Sequence, residues 1–397
     1  MSKIQNKQTC LVHAPRKAPQ YIETVQPPLF RASTIIFKNT DALFNRHWTD
    51  AYDYSYGTHG TPTTFTLADN IAQIEGGQHS LLTPSGLSAI NLVNSCFLSH
   101  GDEVWVPDNI YGPNMEHLRN LHQRYGIEVK IYNALEHESF QPTSKAKLLW
   151  LEAAGSVSLE FPDLRRLVRK ARQSGILTAL DNTWGAGLAF NAFDFSDEHL
   201  SVDLTVHALT KYPSGGADIL MGSVVTRDRK LYQQLFRMHA IQGISISGDD
   251  AAQIQRSLAH MQLRYQQQSA NTIVLLNWLK QQPEFVQVLH PADENSPGHQ
   301  YWKETCIDKQ SAGLVSVIFK PEYDLESVRK FCDQLRLFKL GFSWGGPVSL
   351  VMLYQLKEMR TLECTHLKEG VLVRFCIGLE AVDDLITDIQ QALQVLR

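Results

Sequence analysis

From about residue 60 onward, short apolar runs recur between amphipathic stretches, and this alternation restricts the chain more than any other feature. The runs HSLLT (79–83), EVWVP (103–107), EVKIYN (128–133), KLLWLE (147–152), ILTALD (176–181) and DLTVHAL (203–209) have the length and the apolar content of buried strands. Between them lie stretches such as PDLRRLVRKARQSG, where Leu164, Leu167, Val168 and Ala171 share one helical face. Asp163 is placed to cap that helix and Gly175 to stop it. Strand–helix alternation predicts an α/β fold, a mostly parallel sheet flanked by helices. After about residue 250 the pattern changes. GDDAAQIQRSLAHMQLRYQQQSANTIVLLNWLKQ predicts one long helix or two consecutive ones. GLVSVIFK and VLVRFCIG then read as strands, alternating with the helices DLESVRKFCDQLRLF and AVDDLITDIQQALQVL. The expected organisation is an N-terminal arm over 1–60, extended and rich in Pro, Thr, Asn and Tyr, a large domain over 61–256, and a smaller C-terminal α/β domain over 257–397.

Composition narrows the function classes. A net charge of -4 over 397 residues offers no basic face to nucleic acid or to an anionic membrane. The N-terminus is polar and lacks the apolar centre of a signal peptide, and NTIVLLNWL is too short to cross a bilayer. Six cysteines, scattered without a CxxC pair, read as free thiols of a cytoplasmic protein. The histidines show no HExxH or comparable spacing, so no metal site is expected. GISISG (243–248) lacks the GxSxG spacing of a hydrolase elbow.

In open parallel sheets, ligands sit beyond the carboxyl ends of the strands. Three features of this chain fall there. TPSG, after the first strand, opens a helix at Gly86 whose free N–H groups suit a phosphate, although alone it reads more readily as an empty turn. ILTALDNTWGAG delivers Asp181 to the sheet edge, where a carboxylate is either a cap or the partner of something cationic. Its GAG begins like a dinucleotide fingerprint, but Phe190 stands where the third glycine belongs. Lys211 follows the sixth strand among small residues, and a desolvated lysine amine is a nucleophile toward carbonyls. A phosphate cradle, a carboxylate and a lysine at three strand ends match the needs of pyridoxal 5′-phosphate.

The motifs YGTHGTPT (56–63), TPSGLSA (83–89), IYGPNME (110–116), LDNTWGAG (180–187), TKYPSGGAD (210–218), FSWGGPVSL (342–350) and RFCIGLE (374–380) occur in one order. From about Tyr54 to the C-terminus the chain resembles the Cys/Met-metabolism family of pyridoxal-phosphate enzymes, of fold type I. The resemblance implies that residues 61–256 bind the cofactor, with Lys211 forming its Schiff base and Asp181 facing the ring nitrogen. It assigns the phosphate to Ser85, Gly86, Leu87 and Thr210, and a further cofactor contact to Thr183. Tyr111 would stack on the ring, and Tyr56 would reach the cofactor of a neighbouring subunit in a homotetramer; with Lys211 these make the expected catalytic set. Arg374 would hold the substrate α-carboxylate, with Glu116, Ser343 and Trp344 on the substrate side. SWGG resembles the β-lyase branch, which implies β-elimination of L-cystathionine to homocysteine, pyruvate and ammonia. A γ-lyase or a broader cysteine-S-conjugate β-lyase remains open. Thr58 and His59 stand where the family carries arginine, and Phe342 where it carries tyrosine.

Overall fold

The computed structural model describes residues 7–12, 24–47, 53–195 and 200–396. The six expected strands form, as β1 (His79–Thr83), β2 (Glu103–Pro107), β3 (Glu128–Tyr132), β4 (Ala146–Glu152), β5 (Leu177–Asp181) and β6 (Leu204–His207). A seventh, β7 (Gly222–Thr226), escapes the sequence reading because GSVVT is short and begins with two small residues. It inserts between β1 and β6, giving the order β1-β7-β6-β5-β4-β2-β3. The ladders among β2 to β6 are parallel, and both ladders of β7 are antiparallel. The sheet is thus mostly parallel, as expected. Helices cover it, and β4 is buried along its length apart from Lys147.

Local chemistry sets the helix bounds. Asp163 accepts from the Arg166 N–H at 3.0 Å, and the helix Leu164–Gln173 buries the four apolar residues expected of it. The segment after residue 247 forms two consecutive helices, Gly248–Leu258 and Met261–Leu279. In the N-terminal stretch expected to be extended, Lys7–Val12 is helical and buries Cys10 and Leu11; residues 1–6, 13–23 and 48–52 of that stretch lie outside the described residues.

A second sheet follows, formed by β8 (Phe285–Leu289), β9 (Leu314–Phe319), β10 (Lys339–Leu340), β11 (Leu350–Gln355) and β12 (Val371–Cys376), in the order β10-β11-β12-β9-β8. Only β9 and β12 are among the expected strands; β8 has a half-exposed face and an apolar run broken at Gln287, whereas β11 carries the apolar run Leu350–Tyr354, which the sequence reading does not single out. Side chains tie this sheet to loops of the first. The Gly313 N–H donates to Tyr212 Oη at 2.8 Å, and Ser316 Oγ donates to the Val157 carbonyl at 2.6 Å.

Close packing of the turn after β1 fixes where the site opens. A Cβ on Gly86 would lie 2.6 Å from Ala208 Cβ, and one on Gly222 would lie 2.3 Å from the Ser85 carbonyl oxygen. The turn is therefore clamped between β7 and the segment leading to Lys211, at spacings only glycine permits. Gly222→Ala is expected to destabilise the protein by about 1–3 kcal/mol, the usual cost of overpacking, read as a lowered Tm of the cofactor-free protein. An unchanged Tm would contradict the clamp.

Candidate active site

Because β1 and β6 are each antiparallel to β7, they run in the same direction. The carboxyl ends of β1, β2, β4, β5 and β6 therefore share one edge of the sheet. A cavity of about 170 Å³ lies there, and the residues lining it follow these strand ends. Ser85, Gly86 and Leu87 come from the turn after β1 and Tyr111 from the loop after β2. Glu152 ends β4, Asp181 ends β5, and Thr183, Thr210 and Lys211 follow β5 and β6. Trp344, between β10 and β11, closes the cavity from the second sheet.

Lys211 Nζ lies 5.0 Å from the centre of the Trp344 ring and makes no hydrogen bond among the described contacts. Burial lowers its pKa; the Asp181 charge opposes that shift and the Arg374 charge adds to it. Asp181 Oδ1 accepts from the Thr183 N–H at 3.0 Å. Burial raises its pKa, while Thr183 and the positive charges of His207 and Lys211 favour the carboxylate. His207 is itself fixed from behind, its Nδ1 donating to Glu75 Oε1 at 2.8 Å, and Asn182 Nδ2 donates to the other Glu75 oxygen at 2.6 Å.

Ser85 is the N-cap of the helix Gly86–Phe97, its Oγ accepting from the Ser88 N–H at 3.0 Å. The Gly86 and Leu87 N–H groups have no protein acceptor among the described contacts, which leaves them to an anion. Thr210 lines the same region, but its hydroxyl donates to the Met221 carbonyl at 3.2 Å and accepts from the Met221 N–H at 3.0 Å. A bond from Thr210 to phosphate would have to replace the first of these. Thr183 Oγ1 accepts from the Ala208 N–H at 3.0 Å and keeps its own proton to donate.

Arg374, central in β12, is 3% exposed. Its guanidinium stacks 5.2 Å from Trp344 and 5.4 Å from Tyr354, and Nη1 donates to the Ser156 carbonyl at 2.6 Å. Its Nε and the Trp344 Nε1 are both buried and without an acceptor in the described structure. Two orphaned donors side by side are costly unless a ligand meets them, and a carboxylate would.

Four expected site residues are not among those that line this cavity: Arg374, which stacks on Trp344, and Glu116, Tyr56 and Ser343. Glu116 accepts from Arg119 Nη1 at 2.5 Å on the exposed face of the helix Gly112–Tyr125. Tyr56 is 47% exposed, away from the cavity of its own chain. Ser343 adjoins Trp344 with φ 99°, a backbone conformation unfavourable for serine. The sequence reading missed Glu152 and Ser156. Glu152 carries the same signal as Asp181, a carboxylate ending an apolar strand, whereas nothing marks Ser156.

The desolvated lysine, the paired carboxylate and the orphaned N–H groups at one sheet edge fit an amine-reactive phosphorylated cofactor with a basic ring nitrogen. Residues 8–394 match the profile of the Cys/Met metabolism PLP-dependent enzymes. The chain is 34% identical to the cystathionine β-lyase of Bordetella avium, over 93% of this chain and 92% of that one. It is 29% identical to an L-alanine/L-glutamate racemase of Wolbachia pipientis wMel, over 98% and 96%. Among solved structures it superposes on cystathionine γ-synthase of Xanthomonas oryzae pv. oryzae with a TM-score of 0.86 and 27% identity, covering 98% of each chain. The chain belongs to the Cys/Met metabolism family of pyridoxal-phosphate-dependent enzymes. Pyridoxal 5′-phosphate is its cofactor. No described helix is long and apolar enough to cross a membrane.

Glu152 gives the site a pH signature. Burial and the neighbouring Asp181 charge push its carboxyl from the usual 4.5 up to about 8. The folded, cofactor-free protein thus holds a proton that the unfolded chain releases above the ordinary carboxylate range. This contribution to stability is complete below about 4.5 and is lost as the pH rises through about 8. Thermal melts of cofactor-free wild type are expected to fall in Tm between pH 6 and pH 9 more than those of Glu152→Gln. Parallel pH profiles would show that Glu152 does not titrate there.

Proposed function

We propose that the chain is a carbon–sulfur lyase that carries out β-elimination on L-cystathionine, giving homocysteine, pyruvate and ammonia. The observation that carries this reading is the placement of two cations, Lys211 and Arg374, on the ring of Trp344. An amino acid whose carboxylate meets the unpaired Nε of Arg374 brings its Cα toward the Lys211 amine. A planar, permanently charged guanidinium suits that anchor. Pyridoxal phosphate, which Lys211 would hold, would supply the electron sink for the charge left at Cα. Asp181 keeps the ring nitrogen protonated. The freed Lys211 amine takes the Cα proton, and its lowered pKa leaves it neutral more readily than an ordinary lysine. The Cβ–S electron pair would leave with sulfur, to which Lys211 can return the proton it took, releasing the thiol; hydrolysis of the remaining fragment gives pyruvate and ammonia. Trp344 over the cavity and the relatives named cystathionine β-lyase favour β- over γ-elimination. The same reading makes the protein a cytoplasmic homotetramer acting in methionine biosynthesis, with Tyr56 serving a neighbouring subunit.

L-Cystathionine is expected to yield pyruvate and homocysteine. 2-Oxobutyrate and cysteine would establish γ-elimination instead, and conversion of L-alanine to D-alanine without pyruvate formation would establish a racemase, the activity named for the Wolbachia relative. Lys211→Ala should remain folded and lose nearly all turnover; substantial pyruvate from it, without added amine, contradicts the role given to Lys211. Asp181→Asn should retain cofactor and lose at least ~100-fold in kcat, the scale on which one directed electrostatic contact acts. Activity within a few-fold of wild type would make Asp181 structural.

A further inference from the structure

Glu152 belongs to no part of the chemistry above, yet it is 5% exposed at the edge of the cavity and opposite Asp181 in the parallel register of β4 and β5. Its two oxygens are used separately. Oε2 accepts from the Tyr111 N–H at 2.7 Å, and Oε1 accepts from the Ser156 N–H at 3.0 Å. The Ser156 peptide continues the chain of contacts, because its carbonyl accepts from Arg374 Nη1 at 2.6 Å. One buried carboxylate therefore connects the tyrosine over the cavity to the arginine of the second sheet. Only an ionised or well-ordered carboxyl can serve two donors in different directions; an amide offers one acceptor and one donor. The cost of burying it beside Asp181 is considerable, which argues against a filling role that an apolar side chain could perform. Tyr111 also precedes the helix Gly112–Tyr125 without capping it through its side chain, so the carboxylate lies near the positive end of that helix.

We propose that Glu152 is a positioning residue: through the Ser156 peptide it sets the guanidinium of Arg374 for the substrate carboxylate, using the Tyr111 backbone as its fixed point. Glu152 orients Arg374 without touching the amino acid. The proposal rests on the pyridoxal-phosphate reading of the site, and it concerns recognition of the α-carboxylate rather than the elimination.

Glycine and methylamine separate the two. Both are amines that react with the cofactor, and they differ in the carboxylate that Arg374 would hold. Each is titrated against cofactor-loaded wild type and Glu152→Gln at one fixed pH, with cofactor absorbance as the signal. In the variant one N–H faces a donor, and glycine is expected to bind about 10- to 100-fold more weakly, the scale of one buried unsatisfied polar group, while methylamine stays within ~3-fold. Unchanged glycine affinity, or an equal loss for both amines, overturns the proposal. Should Glu152→Gln not retain cofactor, Glu152→Asp carries the same comparison, since its shorter carboxylate cannot span both N–H groups. The glycine-to-methylamine preference must fall there too, and an unchanged preference overturns the proposal. A wild-type spectrum that responds to neither amine overturns the cofactor reading, and this proposal with it.

Discussion

A lysine amine taken out of water and given no hydrogen-bond partner is the constraint around which the rest of the site is organised. A buried ammonium is expensive, and proteins ordinarily pair it or neutralise it. Here the nearest compensation is indirect: the Trp344 ring at 5.0 Å and the Asp181 charge, which the Thr183 N–H holds at the end of the adjacent strand. The arrangement makes sense once a ligand completes it. A cofactor that reacts with the amine and presents a basic ring nitrogen to Asp181 would satisfy both groups together, and pyridoxal phosphate, the cofactor of the family to which the chain belongs, has both features.

The fold brings these groups together by strand direction rather than by sequence proximity. The insertion of β7 turns β1 parallel to β6, so the turn at Gly86, with its unpaired N–H groups, and the Lys211 loop open on the same edge. Gly86 and Gly222 then let the turn and its neighbours approach closer than any side chain would allow. From the second sheet, Trp344 closes the cavity with Arg374 stacked on its ring, and the loop after β4 is the bridge. That loop is held by Glu152 on one side. On the other, Glu160 accepts from Arg360 Nη2 at 2.6 Å, His366 Nε2 at 3.0 Å and Asn109 Nδ2 at 3.1 Å, and these charges and donors hold its carboxyl down at about 2. A well-paired carboxylate of this kind anchors the loop without titrating near neutral pH.

Much of this architecture is legible in the sequence because buried parallel strands announce themselves as apolar runs. β1 to β6 appear within a residue or two of their expected bounds, and Asp181 and Lys211 stand out as charges where such runs end. β7 and β8 do not, since a short strand or one with an open face carries no distinctive pattern, while the apolar run of β11 lies directly after a motif and is not separated from it. The motif match extends further than periodicity: it picks out Trp344 and Arg374, which a residue-by-residue reading has no reason to bring near Lys211. It does not reveal that Thr210 spends its hydroxyl on Met221, or that Glu116 pairs with Arg119 at the surface. Those are consequences of side-chain geometry. Glu152 was within reach of the same rule that finds Asp181, but its partners are backbone N–H groups, which leave no trace in a sequence.

Borohydride reduction of the cofactor-loaded protein, followed by peptide mass mapping, tests the central claim directly. Reduction fixes the cofactor on whichever lysine holds it. The account expects a single added pyridoxyl phosphate, on the peptide containing Lys211. Labelling of Lys7, the other lysine among the described residues whose pKa burial lowers, to about 8, or of any further lysine in place of Lys211, would contradict it.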